Sequence, residues 1–129
     1  MVYVFFDSMR KIVIHSASAE MRALIRGMLS DIEALFVATA TREELFEVCE
    51  MSRCDLVLTD DANLFLDGSN AIARIRPIGA LPQIFVLSHN ISEERVVALL
   101  DEGVNQFISL PVAPERFYGK VSSQCGEPI

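Results

Sequence analysis

The stretch LTDDANLFLDG, residues 58–68, closes an apolar run with two adjacent aspartates and sets a third before a glycine. Asp60, Asp61 and Asp67 could act together, or each could have a local structural task. The second candidate is His15-Ser16-Ala17-Ser18. A helix starting after it would point its free backbone N–H groups at an anion, although the stretch lacks the glycines of a phosphate-cradling loop. His89 lies in a polar stretch and could bind a ligand, whereas His15 sits in an apolar run and reads as a core histidine. Three cysteines, Cys49, Cys54 and Cys125, form an odd set without metal-ligand spacing. They read as free thiols of a reducing compartment.

These residues need elements to position them, and the chain alternates between two hydrophobic periods. KIVIHS (11–16), ALFVATA (34–40), CDLVLTD (54–60), QIFVLS (83–88) and NQFISL (105–110) are short apolar runs that read as buried strands. Between them, helical spacing appears at Met21, Leu24, Ile25, Met28 and Leu29, which should form one buried face. It returns after Thr41, where Thr41 and Glu44 make a capping box ahead of Leu45, Val48 and Cys49. A third helix is expected at Ala71, Ile72 and Ile75, stopped by Pro77. Asp67-Gly68 should turn the chain into it, with Asp67 as its cap. Ser92 caps a helix carrying Val96, Val97, Leu99 and Leu100, and Gly103 suits its left-handed end. A last short helix starts near Pro114.

Five strands alternating with helices predict an α/β protein: a flavodoxin-like (βα)5 three-layer sandwich around a five-stranded parallel sheet. Ligands of such sheets sit beyond the carboxyl ends of the strands. Those ends are His15–Ser18, Asp60-Asp61, Ser88-His89-Asn90 and Leu110-Pro111, so the residues that open the question lie where the fold would place a site.

Composition narrows the classes. With 129 residues and 51% hydrophobic content the chain is one globular domain. We expect an extension at 1–10, the domain at 11–124 and a tail at 125–129. A net charge of −7, with eleven scattered Lys and Arg, argues against direct nucleic-acid binding. No run reaches the roughly 18 apolar residues of a membrane span, and the start lacks the order of a secretory signal. The expectation is a cytoplasmic protein without membrane contact. VYVFF (2–6) could be an added edge strand, a dimer contact or a misplaced start. Self-association ranks first, because an exposed apolar strand edge invites pairing.

From about Lys11 to about Val121 the chain resembles the receiver domain of bacterial two-component response regulators. The resemblance rests on joint spacing. An Asp ends the third strand (Asp60), with an Asp-Gly seven residues on (Asp67-Gly68). A hydroxyl ends the fourth strand (Ser88), a Gly closes the helix after it (Gly103), and an X-Pro ends the fifth strand (Leu110-Pro111). It implies that Asp60 is the phosphoacceptor, that Ser88 and Phe107 are switch residues, and that Asp60 and the Ala62 carbonyl belong to the Mg²⁺ site. It also implies a cis Leu110–Pro111 peptide, which X-Pro bonds permit. Partners would be other signalling proteins, a histidine kinase or an effector, or a second copy in a homodimer. The contact surface would be the face of the fourth helix, fifth strand and last helix.

Four positions depart from the family pattern. Ser16 and Ala17 stand where the family has the acidic pair that holds Mg²⁺. Leu110 replaces the lysine that pairs with the phosphoryl group, and His89 replaces a small residue. Phosphoryl transfer depends on positive charge around the phosphoryl oxygens, and Mg²⁺ is usually held by one or two carboxylates plus phosphate oxygens. Asp61, one residue beyond Asp60, should point to the opposite side and offer no rescue. The expectation is a non-enzymatic signalling module that works through protein contacts, with no cofactor and with Mg²⁺-dependent phosphorylation of Asp60 impaired or absent. Two alternatives stand beside it: a working phosphoacceptor using Asp60, and a small-ligand or flavin module on the same fold.

Overall fold

The computed structural model describes residues 9–77, 79 and 81–124. VYVFF, Cys125 and the tail at 125–129 lie outside the described residues. Within them, the strands are β1 (Lys11–His15), β2 (Leu35–Thr39), β3 (Leu56–Thr59), β4 (Gln83–Ser88) and β5 (Gln106–Ser109). The helices are α1 (Ala19–Met28), α2 (Arg42–Met51), the single turn α3 (Asn63–Leu66), α4 (Ala71–Ile75), α5 (Glu93–Glu102) and α6 (Pro114–Gln124).

All strand pairs are parallel and the sheet order is β2-β1-β3-β4-β5. Side chains alternate across a strand, so each central strand feeds two cores. Ile12, Ile14, Leu56, Leu58, Phe85 and Leu87 face Ile25 and Leu29 of α1 and Phe117 and Val121 of α6. Val13, Val57, Ile84 and Val86 face Leu45 of α2, Leu64 of α3, Ile75 of α4 and Leu99 of α5. This is the expected doubly wound flavodoxin-like sandwich. Its strand order reverses between β1 and β3, and such a switch point opens a crevice at the carboxyl ends of those strands.

Local signals explain the helix ends. The Thr41 hydroxyl accepts from the Glu44 N–H while the Glu44 carboxylate accepts from the Thr41 N–H, completing the capping box. Ser18 and Ser92 cap α1 and α5. Gly103 ends α5 at φ 113°, a left-handed conformation that costs a residue without a side chain little.

Two expectations need correction. Leu24 is 52% exposed, because the buried stripe of α1 runs through Ile25 and Leu29 and Leu24 lies on its outer edge. Asp67 does not cap α4; Asn70 holds that place in a left-handed conformation (φ 58°) without a side-chain cap, and Asp67 ends α3 instead. α3 itself, one turn inside the LTDDANLFLDG loop, is too short to show a period. Of the apolar residues on α5, only Leu99 is fully buried, and Val97 and Leu100 are exposed. The Leu81–Pro82 and Leu110–Pro111 peptides are both cis. Among the described residues, no helix is long and apolar enough to cross a membrane.

Candidate functional site

β1 and β3 end side by side, His15 against Thr59. Beyond them lies a cavity of about 470 Å³ lined by His15, Ser16, Ala17, Ser18, Ala40, Arg42, Asp60 and Asp61. Ser16 organises its floor. Its N–H donates to the Thr39 carbonyl at 3.1 Å, and its Oγ donates to Asp60 Oδ2 at 3.0 Å while accepting the Ser18 N–H at 3.0 Å. The Ser16 carbonyl accepts from Arg22 Nη1 at 2.6 Å. Fully buried, Ser16 thus fixes one oxygen of the Asp60 carboxylate to the end of β1. The neighbouring Ala17 is exposed and adds no polar group.

His15 is buried beside this floor, with Nδ1 2.8 Å from Thr39 Oγ1. Burial holds its pKa below the ordinary 6.5, against the opposing pull of the Asp61 and Asp60 carboxylates. Its place is that of a core histidine with a satisfied ring nitrogen.

Asp61 lines the same cavity as Asp60, contrary to the strand-alternation argument. The strand stops at Thr59, so alternation no longer governs Asp60 and Asp61. The Asp61 N–H donates to Thr59 Oγ1 at 3.0 Å and its Oδ1 accepts from the Leu64 N–H at 3.2 Å, which turns the chain into α3. Its other oxygen accepts from Arg42 Nε at 3.2 Å. Arg42 Nη1 donates to Asp67 Oδ2 at 2.5 Å. Asp67 Oδ1 also accepts the Ser69 N–H at 3.0 Å. The Arg42 guanidinium holds the Asp67 carboxyl down at about 2, and the two carboxylates raise the pKa of Arg42.

Arg42 is the site residue that motif reading missed. The capping box fixes Thr41 at the start of α2, so the next side chain stands at the carboxyl end of β2. That the strand order brings this end to Asp61 was not visible from sequence spacing.

The remaining candidates lie elsewhere on the same rim. Ser88 Oγ donates to the His89 carbonyl at 3.1 Å, and His89 is exposed. Phe107 is half-buried and lines a separate cavity of about 440 Å³ with Pro111, Arg116 and Lys120 among others. Leu110 packs into the α1–α6 core. The Ala62 carbonyl accepts from the Phe65 N–H at 3.1 Å. The structure therefore joins Asp60, Ser16, Ala17, Asp61 and Arg42 in one cavity. Ser88, His89 and Leu110 sit at the ends of β4 and β5, and Phe107 lies within β5.

Comparison with known proteins decides the family. The family model described as the response regulator receiver domain matches residues 12–122. The chain belongs to the response regulator receiver family. It is 31% identical over 107 residues to an uncharacterized 14.6 kDa protein in the sodA1 3' region of Leptolyngbya boryana, covering 81% of each chain. Among solved structures, a response regulator from Thermotoga maritima superposes with a TM-score of 0.77 at 17% identity, covering 92% of this chain and 99% of that one. An orphan response regulator from H. pylori gives 0.75 at 16% identity, covering 90% and 96%. At such identities these two structures establish the shared fold. As a receiver domain, the chain is a two-component signalling module, a class that exchanges signals with partners such as kinases or effectors.

Proposed function

We propose that this receiver domain signals through protein–protein contacts, with Mg²⁺-dependent phosphorylation of Asp60 impaired or absent. The observation that carries the reading is the state of the two carboxylates in the cavity. Asp60 accepts the Ser16 hydroxyl, and Asp61 is shared between the Leu64 N–H and the Arg42 guanidinium. Mg²⁺ demands near-octahedral oxygen donors and sheds water reluctantly. The residues present do not fit it. Ser16 brings a neutral hydroxyl already donating to Asp60, Ala17 brings nothing, and the Ala62 carbonyl serves α3. Among the described residues, no group of three or more His, Cys, Asp or Glu side chains could hold a metal ion. At the position of the family's lysine, Leu110 supplies packing in place of charge.

Losing one electrostatic stabiliser of a transition state typically lowers a rate on the order of 10²–10³. Two such losses around Asp60 leave a domain whose state is set by what binds it. A partner shifts a two-state element only by its difference in affinity for the two states. The surface of α5, β5 and α6 is the contact face in this reading, and Val97 and Leu100 on α5 give it exposed apolar side chains. A kinase, an effector or a second copy of the chain would dock there. The domain itself catalyses nothing.

The test is incubation with acetyl phosphate and Mg²⁺, followed by intact mass. The expected outcome is an unmodified chain under conditions that modify a phosphorylatable receiver run in parallel. A phosphoryl adduct lost in Asp60→Asn would overturn this reading in favour of a working phosphoacceptor.

A further inference from the structure

The mismatch between the cavity and a divalent ion has a structural counterpart in Arg42. Its guanidinium meets Asp61 through Nε at 3.2 Å and Asp67 through Nη1 at 2.5 Å. These two carboxylates stand at opposite ends of α3: Asp61 receives the Leu64 N–H at its start, and Asp67 closes it. One cation therefore bridges the two ends of α3. The capping box of Thr41 and Glu44 fixes where α2 begins and so where Arg42 starts its reach.

We propose that Arg42 is the resident cation of this site, occupying the Asp61 oxygen that would otherwise recruit a divalent ion and fixing the β3–α3 loop whatever the ion concentration. The inference rests on the reading above, in which Mg²⁺ does not work here, and it adds a cation already seated at Asp61 to the reasons given there. A guanidinium is always charged in proteins and carries its donors in a fixed fork. Being part of the chain, it stays close to Asp61 even when the pair opens. A hydrated Mg²⁺ would have to displace it from Asp61 and lose water in the same step. The cavity holds two carboxylates, Asp60 and Asp61, which is the number that Mg²⁺ sites in proteins commonly use. With Arg42 gone, Asp61 Oδ2 would face the cavity beside Asp60, and the negative potential there would rise.

Removing Arg42 takes a full positive charge away from a point 3.2 Å from Asp61 Oδ2. By Coulomb attraction at a partly exposed site, affinity for a divalent cation should therefore rise on the order of tenfold. The experiment is Mn²⁺ titration followed by paramagnetic broadening of backbone amides, on wild type, Arg42→Gln and the double variant with Asp61→Asn. Wild type is expected to show no saturable broadening at low-millimolar Mn²⁺. Arg42→Gln should show saturable broadening centred on Ser16, Asp60 and Asp61, and the double variant should lose it. Arg42→Met, which keeps the aliphatic stem, replaces Arg42→Gln if that variant does not fold.

Silence in a folded Arg42 variant overturns the resident-cation proposal and leaves the protein-contact reading intact. Persistence of broadening after Asp61→Asn also overturns it, because the ion would then sit elsewhere. Saturable broadening of wild type at Asp60 overturns the reading on which the proposal rests.

Discussion

Arg42 and Asp67 form an exposed pair whose strength can be read through pH. The Asp67 carboxyl lies at about 2 in the folded chain against an ordinary 3.8. A depressed folded pKa means that the unfolded chain binds the proton first. The pair's contribution is therefore complete above pH 3.8 and is lost as pH falls toward about 2. Asp67→Asn should lower the thermal midpoint by a constant amount above that window, and the difference from wild type should vanish at its lower end. Melting curves across pH 2–8 check this; a difference that does not change with pH would mean the side chain acts through shape alone. His15 works in a separate window. Its folded pKa is also lowered, by burial, so protonation favours the unfolded chain and stability declines as pH drops below 6.5. Wild type and Asp67→Asn both keep this second decline, which separates it from the first.

At the level of elements, α2 shows how a short local motif positions a distant cation. Thr41→Ala removes the hydroxyl that accepts the Glu44 N–H at 3.1 Å. Loss of such a cap costs about 0.5–2 kcal/mol, which should appear as a lower urea midpoint with an unchanged slope. A changed slope would point to a different denatured state and not to the cap. This motif was legible in the sequence, as were all five strands and the cap residues Ser92 and Gly103. Their signals are local: a period, a hydroxyl before a helix, a glycine after one. The elements that escaped are those without a local signal. α3 has one turn, too short for a period, and α4 begins at Asn70 without a side-chain cap. Asp61 faces the cavity and not the opposite side because pairing of β3 ends at Thr59, and strand alternation ends with it. Arg42 was invisible as a site residue because its partners lie 19 and 25 positions away. The flavodoxin-like order places β2, β1 and β3 side by side, but no spacing rule says that a side chain at the end of β2 reaches across β1 to Asp61 and Asp67. Resemblance found Asp60 and Ser16; tertiary contacts were needed to show what they touch.

For the whole molecule, the sheet couples two cores that share the same strands. Val57 faces one and Leu58 the other, and both are fully buried. A loss on either side therefore loosens strands that the opposite side also needs. Phe117 of α6 is fully buried against the β1–β3–β4 face, on the far side of the sheet from α2 and α5. Phe117→Ala should cost about 3–5 kcal/mol, a large share of the roughly 5–15 kcal/mol that holds a typical domain together. Because the strands are common to both cores, that cost should reach helices Phe117 never touches. Amide hydrogen exchange in the variant should show slow-exchanging protons of α2 and α5 speeding up in step with those of β1, β3 and β4. If exchange accelerates only in α1 and α6, the two faces open separately. The α5 surface could then respond to a partner without disturbing the Asp60–Ser16 cavity. Acceleration across both faces would mean that the sandwich opens as one cooperative unit, which includes α5 and the carboxyl ends of β1 and β3 where Asp60, Ser16 and Arg42 meet.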